Sequence, residues 1–338
     1  VTIHDVAAQA GVSVATVSRV LNGKEVVREE TLRQVLDAAK ALNYVPNVAA
    51  RALSIRRSQT VGIVLPDVHG EFFSELIRGI DLAARRAGYH ILVSGSHSDA
   101  GEMLEVLETM HGRVDGLVVM APDLALASLH RSLPSDLPLV LLNSTADGRD
   151  AITIDNYGGA QMMMHHLVEL GHEKIAFFKG PPQNADARER LRGFRDAMRN
   201  TAPAAFRRLE IAGDFTEESG HAAARKILKM RPRPTAIFAA NDSMAVGALA
   251  ALAEAGVAVP GEMSVTGFDD IPIARYIAPP LTTIRVDIAD LGRRAFSLLH
   301  DAIDQPAAAR RRDCIATTLV VRKSSWSPVI RRKKGEVS

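Results

Sequence analysis

The 338-residue sequence predicts a small all-helical N-terminal domain followed by a two-lobed, doubly wound α/β body. Three observations carry this. Residues 1–45 hold three sets of apolar residues at spacings of three and four, separated by breaks such as Gly11 and Asn22-Gly23. From Thr60 the texture changes to short β-rich runs alternating with helical stretches, as βαβ units on a parallel sheet require. That alternation comes in two series, before and after about residue 157, so it builds two sheets. The length fits two or three domains.

The first helix is expected from Ile3, Val6, Ala7 and Ala10, with Thr2 as its cap and Asp5 as the acidic half of a capping box. Ser13 then caps a second helix to about Leu21, offering Val14, Val17, Val20 and Leu21 for burial. A third runs from about Glu29 to Leu42, with Leu32, Val35, Leu36, Ala39 and Leu42 as its apolar set. After Pro46, Asn47 caps a one-to-two-turn helix through Leu53 that has almost no polar coat and is marginal alone in water. Its plain alternative is a linker.

In the body, Thr60–Pro66, His90–Gly95, Gly116–Met120 and Leu139–Asn143 read as strands. Helices Phe73–Ala87 and Gly101–Met110 separate the first three, Asp123–Leu133 is the next crossover, and Ile152–Ile154 is a further strand. The second series is helix Tyr157–Leu170, strand Lys174–Gly180, helix Arg188–Asn200, strand Phe206–Ile211, helix Ser219–Met230, strand Ala236–Ala240, helix Ser243–Ala255 and strand Ser264–Phe268. A helix at Asp287–Ile303 and a strand at Thr317–Val321 are too few for a third lobe and complete the earlier sheets. Two such lobes place a cleft at the C-terminal ends of their strands.

Composition narrows the function. Hydrophobic residues at 47% supply a core, and a lone Cys314 excludes a disulfide scaffold or a multi-cysteine metal site. No apolar run nears the ~18 residues of a membrane span, and no signal peptide is read, so a cytoplasmic, membrane-free protein is expected. No GxxxxGK loop or His-Glu-x-x-His site occurs, and adjacent His165 and His166 point apart on a helix, so an enzyme, a metal or a cofactor is not expected. Residues 1–60 carry net +3, residues 61–321 carry −6 and residues 322–338 carry +5. A basic head on an acidic body suggests that the head meets a polyanion.

Two capped helices around a Gly-containing turn suggest helix-turn-helix, with the second helix entering the major groove. Its outward residues would be Val14, Ala15, Thr16, Ser18 and Arg19. Arg19 reaches guanine O6 and N7, Thr16 and Ser18 suit phosphates, and the small residues admit close approach. An ordinary three-helix bundle is the plain alternative. The Asn47–Leu53 helix would fit a minor groove, with Ala50 facing its copy, Leu53 as a wedge between base steps, and Arg56 supplying charge to the backbone.

These residues give the sequence a close resemblance to the lactose-repressor family of bacterial transcription regulators. The head strings are VTIHDVAAQAGVSVATVSRVLNG and NYVPNVAARALS. The body strings are TVGIVLPD, FFSELIRGI, Ile154-Asp155-Asn156, GHEKIAF, ARERLRGF, AIFAANDSMAVGAL, PGEMSVTGFDD and PPLTTIRVD. The resemblance implies a helix-turn-helix domain (1–46), a hinge helix and linker (47–59), an effector-binding and dimerisation domain (60–330) and a basic tail (331–338). The body would have the periplasmic-binding-protein fold, with an N-lobe of about 60–157 plus 286–316 and a C-lobe of about 158–285 plus 317–330.

The family mechanism would be a homodimer on a pseudo-palindromic operator, usually as a repressor, with a cleft-bound effector ordering or disordering the paired hinge helices. No leucine heptads follow Val321, so a dimer is expected rather than a tetramer. By the same resemblance Asp67, Phe72, Phe73, Asn143, Arg188, Phe215, Asn241 and Asp269 line the effector site, with Asp155 and Asn156 as weaker candidates. An Arg and an Asp across an aromatic platform suit a sugar or sugar acid. Each has a structural alternative: the phenylalanines packing beneath the cleft, Asp155 capping a helix, and either Asp269 or Asp270 fixing a loop. His69-Gly70 departs from the common Asn-Pro. The rival functions are a periplasmic-type sugar receptor, which has no use for residues 1–56, and an architectural DNA binder without an effector.

Overall fold

The computed structural model describes residues 1–22, 27–44, 57–122, 137–146, 148–201, 209–306 and 309–328. The expected hinge helix with Asn47, Ala50, Leu53 and Arg56, the 123–133 crossover and the basic tail lie outside these residues. The chain divides into two compact units, residues 1–60 with 112–115, and the remainder.

In the first unit α1 spans Ile3–Ala10, α2 Val14–Asn22 and α3 Glu29–Ala41. The Asp5 carboxylate accepts from Thr2 N at 2.8 Å and Thr2 Oγ1 at 3.1 Å, so the start of α1 is fixed as its sequence predicts. Gly11 ends α1 at φ 64°, a left-handed turn that glycine adopts without a Cβ penalty. Ser13 Oγ accepts from Thr16 N at 3.1 Å and so caps α2. Val6, Ala7, Val17, Val20, Val35, Ala38 and Ala39 form the core. Leu32 and Leu36, expected inside, are 37% and 49% exposed. The spacing of α3 admits two overlapping stripes, and the one through Val35, Ala38 and Ala39 is buried. Where the chain enters the body, Asp115 accepts from Ser58 N, Ser58 Oγ and Gln59 N at 2.6, 2.9 and 2.8 Å.

The second unit is built on two six-stranded sheets. The first half of the chain supplies β1 (Thr60–Leu65), α4 (Glu71–Arg86), β2 (His90–Gly95), α5 (Ala100–Met110), β3 (Gly116–Met120), β4 (Leu139–Leu142) and β5 (Asp150–Ile154). Then come α6 (Asn156–Glu169), β6 (Ile175–Lys179), α7 (Ala185–Thr201), β7 (Glu210–Ala212), α8 (Glu217–Leu228), β8 (Ala236–Ala239), α9 (Asp242–Glu254) and β9 (Ser264–Asp269). A 3-10 turn (Pro272–Arg275), β10 (Thr282–Arg285), α10 (Ile288–Asp304), β11 (Arg312–Ile315) and β12 (Thr318–Val320) complete it.

The strand orders are β11-β5-β4-β3-β1-β2 and β12-β10-β9-β8-β6-β7. The pairs β1–β3, β3–β4, β4–β5, β5–β11, β6–β7, β6–β8, β8–β9 and β9–β10 are parallel, and β12 joins β10 antiparallel. Neither β10 nor β11 is legible in advance, because each is four residues long and rich in Thr or charged residues. The chain passes between the sheets three times, at 154–156, 285–288 and 315–318.

Near-continuous apolar strands bury both faces of each sheet, as helices on either side require. Phe177, Phe194 and Phe238 stack and abut in the second lobe. Glycines set the closest helix crossings. A Cβ at Gly247 of α9 would collide with Glu217 O, and one at Gly220 of α8 with Met244 O. Gly79 of α4 and Gly292 of α10 meet Ala289 O and Leu76 O in the same way in the first lobe. No described helix is long and apolar enough to cross a membrane.

Candidate ligand-binding cleft and nucleic-acid interface

In each sheet the strand order reverses at one place, between β1 and β3 and between β6 and β8. Loops leaving the C-terminal ends of strands diverge there, which opens a crevice. Residues following β1, β3, β6, β8 and β9 line one shared cavity of about 430 Å³. Its size suits a small organic ligand.

The floor is polar and closely built. Arg190 of α7 is 3% exposed. Its Nε donates to Asn156 Oδ1 at 2.8 Å, Nη1 to Ala240 O at 2.6 Å and Nη2 to Asp269 Oδ1 at 2.9 Å. The guanidinium carbon lies 3.8 Å from the centre of the Phe268 ring. A buried cation is tolerable only when paired and hydrogen-bonded to this degree. Asp186, one turn earlier on α7, accepts from Asn143 Nδ2 at 2.7 Å and Asn156 Nδ2 at 2.8 Å. Burial pushes its carboxyl up to about 6, raised further by Asp269 and opposed by Arg190 and the two asparagine amides. Burial likewise raises Asp269 against the pull of Arg190.

Hydrogen bonds between described residues join the lobes around the cavity. They are Asn143 Nδ2 to Asp186 at 2.7 Å, Ala185 N to Pro122 O at 3.0 Å and Ile273 N to Glu71 Oε2 at 2.8 Å. Asn143 Oδ1 is buried with no partner among the described residues. His97, Ser98, Phe215 and Asp269 line the cavity with positive φ although none is glycine. Such strain concentrates at sites whose geometry the surrounding structure dictates. Gly180 leaves the space that the Phe215 ring fills.

The expected residues are placed as follows. Asp67, Phe72, Phe73, Phe215, Asn241 and Asp269 line the cavity. Asn143 is buried behind the lining and donates to Asp186. Asn241 spends Oδ1 on the start of α9, accepting from Met244 N at 3.0 Å, and Nδ2 on Phe215 O at 2.9 Å. It therefore positions the aromatic ring as well as facing the cavity. Arg188 does not line the cavity. It is exposed and bonds to Gln183 O. Residues 186 and 190 share a helix face at spacing four, whereas residue 188 lies about half a turn away. Arg190 is the arginine of the cleft, and it was marked by the stripe it shares with Phe194 and Met198. Asp155 caps α6 through Gly158 N. Asp270 is the loop-fixing member of its pair, accepting from Arg285 Nε at 2.7 Å and Arg322 Nη2 at 2.6 Å. Asp186 is not legible from the sequence, because an Asp near a helix start reads as a dipole partner.

On α2, Ala15 and Arg19 are exposed and Thr16 and Ser18 half-buried. Val14 leans on the head core and is less outward than expected.

The raised carboxyl has a measurable consequence. Between the ordinary value of 3.8 and about 6 the folded body holds a proton on Asp186 that the unfolded chain has released. Stability from this group is full at low pH and falls as pH rises to about 6, by roughly 3 kcal/mol. Asp186→Asn should flatten part of that slope in denaturant midpoints measured between pH about 4 and about 7. Identical slopes in the two proteins would contradict the assignment.

Comparison with known proteins agrees with both ends of the chain. The description "Bacterial regulatory proteins, lacI family" matches residues 2–47, and "Periplasmic binding protein-like domain" matches residues 164–325. The chain is 36% identical over 328 residues to the HTH-type transcriptional repressor PurR of Mannheimia succiniciproducens, covering 96% of this chain and 98% of the relative. It is similar to the crystal structure of the Lac repressor dimer bound to operator and the anti-inducer ONPF, at 31% identity and TM-score 0.87, covering 96% and 99%. A complex of the transcriptional regulator CelR with cellobiose matches at 31% identity and TM-score 0.71, covering 96% and 100%. Matched along nearly its whole length by such relatives, the chain belongs to the lacI family of bacterial regulatory proteins and is a DNA-binding transcriptional regulator.

Proposed function

We propose that the protein is an operator-binding repressor that acts as a homodimer, and that its operator affinity is set by a hydroxyl-rich, carbohydrate-like effector held between the lobes. The observation that carries this reading is the buried Arg190–Asp269 pair, 2.9 Å apart, on the floor of a cleft walled by Phe72, Phe73 and Phe215. Such a floor gives directional hydrogen bonds, and the rings give apolar faces for a sugar. A ligand there touches both lobes, so it favours whichever lobe arrangement fits it better. The readout is the hinge around residues 47–53, which rests on sequence alone: its paired copies fold against the minor groove and Leu53 wedges a base step. The recognition helix α2 contributes Ala15, Thr16, Ser18 and Arg19 to the major groove. The working place is the cytoplasm, on the nucleoid.

The test couples two measurements on the full-length protein. A palindromic duplex is selected from a random pool, and its affinity is measured with and without sugars that raise the melting temperature. A sugar that stabilises the protein should also shift operator affinity. Leu53→Ala should lower specific binding while leaving binding to random DNA unchanged. Stabilisation by nucleobases alone would move the effector class. Operator binding that no ligand alters would favour the architectural reading.

A further inference from the structure

Resting on the effector-cleft reading above, we infer that the effector is electrically neutral, a sugar or polyol without a carboxylate or phosphate, and that the cleft rejects its anionic counterparts. Among the described residues six carboxylates line the cavity, those of Asp67, Glu71, Asp186, Asp214, Glu217 and Asp269. Arg190 is the single Lys or Arg among the described lining residues. Counted as side chains, six acids stand against Arg190, His69 and His97 among the described lining residues. Nor is the Arg190 charge available to an anion. It is spent on Asp269, and three of its five N–H groups donate to the chain. His97 is bound by Glu102, 2.6 Å away.

The other means of holding an anion is a helix N-terminus. Four helices begin around this cavity, and each carries its own acid in the first turn: Glu71 in α4, Asp186 in α7, Glu217 in α8 and Asp242 in α9. The positive ends of the α4, α7 and α8 dipoles are thus already answered by the chain, while burial raises the Asp242 carboxyl well above its ordinary value. Cap groups also occupy a backbone donor in three of the four helices, Asn184 Oδ1 taking Ala187 N, Thr216 Oγ1 taking Ser219 N and Asn241 Oδ1 taking Met244 N, whereas α4 begins at Gly70 without a side-chain cap. A carboxylate or phosphate entering this space would meet the repulsion of these acids. A hydroxyl has the opposite experience. Asp67 Oδ2 and Asp269 Oδ2 accept no hydrogen bond from any described residue, so each can receive an O–H.

The experiment uses the full-length protein and sets of compounds that share a carbon skeleton and differ in charge. These are glucose, gluconate and glucose 6-phosphate, galactose and galactonate, fructose and fructose 6-phosphate, ribose and ribose 5-phosphate, with cellobiose and mannitol as further neutral probes. Thermal shift identifies binders and calorimetry gives their affinities. The expected result is at least one neutral binder whose anionic partners bind ~100-fold or more weakly. Raising the salt should leave the neutral affinity unchanged and narrow the gap, because screening weakens the repulsion. Binding of an anionic member in preference to its neutral partner would overturn the neutral class while leaving an effector-controlled regulator standing. A gap insensitive to salt would assign the rejection to shape and overturn it as well. A panel in which nothing binds would remove the carbohydrate effector itself, and this inference with it.

Discussion

Arg190→Ala should abolish any effector-dependent change in operator binding and destabilise the body by roughly 3–5 kcal/mol. The size follows from what is left behind. Asp269 keeps its buried position without its cation, and Asn156 Oδ1 and Ala240 O lose their donor. Removing one partner of a buried pair costs far more than the pair contributes, because the remaining charge is uncompensated. Arg190→Lys keeps the charge but not the planar fork that reaches three acceptors, and should recover only part of the loss. Arg188→Ala, two residues away on an exposed turn, should change stability by no more than ~0.5 kcal/mol and leave the response intact. Denaturant melts with operator titrations distinguish the two sites. A full effector response in the Arg190→Ala protein would remove this residue from the cleft chemistry.

Gly247→Ala should be the most damaging single methyl addition in the second lobe, at roughly 3 kcal/mol or more. Its Cβ has no room, since the atom it meets is a backbone oxygen, Glu217 O, and not the tip of a movable side chain. The damage would reach the cleft, because α8 and α9 present Thr216, Glu217, Asn241 and Ser243 to it. Gly261→Ala is the control. Its nearest neighbour is Ala258 Cβ at 3.6 Å, ordinary contact distance, and stability there should move by less than ~0.5 kcal/mol. Equal melting temperatures for the Gly247→Ala protein and the parent would show that the helices can part without cost.

The difference in legibility between fold and site has physical causes. Helices and most strands were readable because burial imposes a period on the sequence, and that period survives in each element alone. The strands β10 and β11 were not, because their pairing is supplied by neighbours distant in sequence, Ser264–Asp269 and Asp150–Ile154. Within the cleft, residues that follow strand ends were found by position. The choice between Arg188 and Arg190 needed the helix face, and the stripe of Ala187, Phe194 and Met198 selects Arg190. Asp186 was harder still. Its importance comes from Asn143, 43 positions away, and Asn156, 30 positions away, and no local pattern announces such partners.

The three passages of the chain between the sheets have a consequence for the protein as a genetic object. Each lobe is assembled from separated stretches of the polypeptide: the first needs α10 and β11 from beyond residue 287, and the second needs β12 from beyond residue 317. Neither half can therefore be excised by cutting the gene at one point. A fragment ending before residue 286 would leave α4 without α10, the helix whose Gly292 it packs against. The halves must be inherited, expressed and matured together, and recombination that brings in a new effector preference has to replace the whole body or exchange single side chains within it.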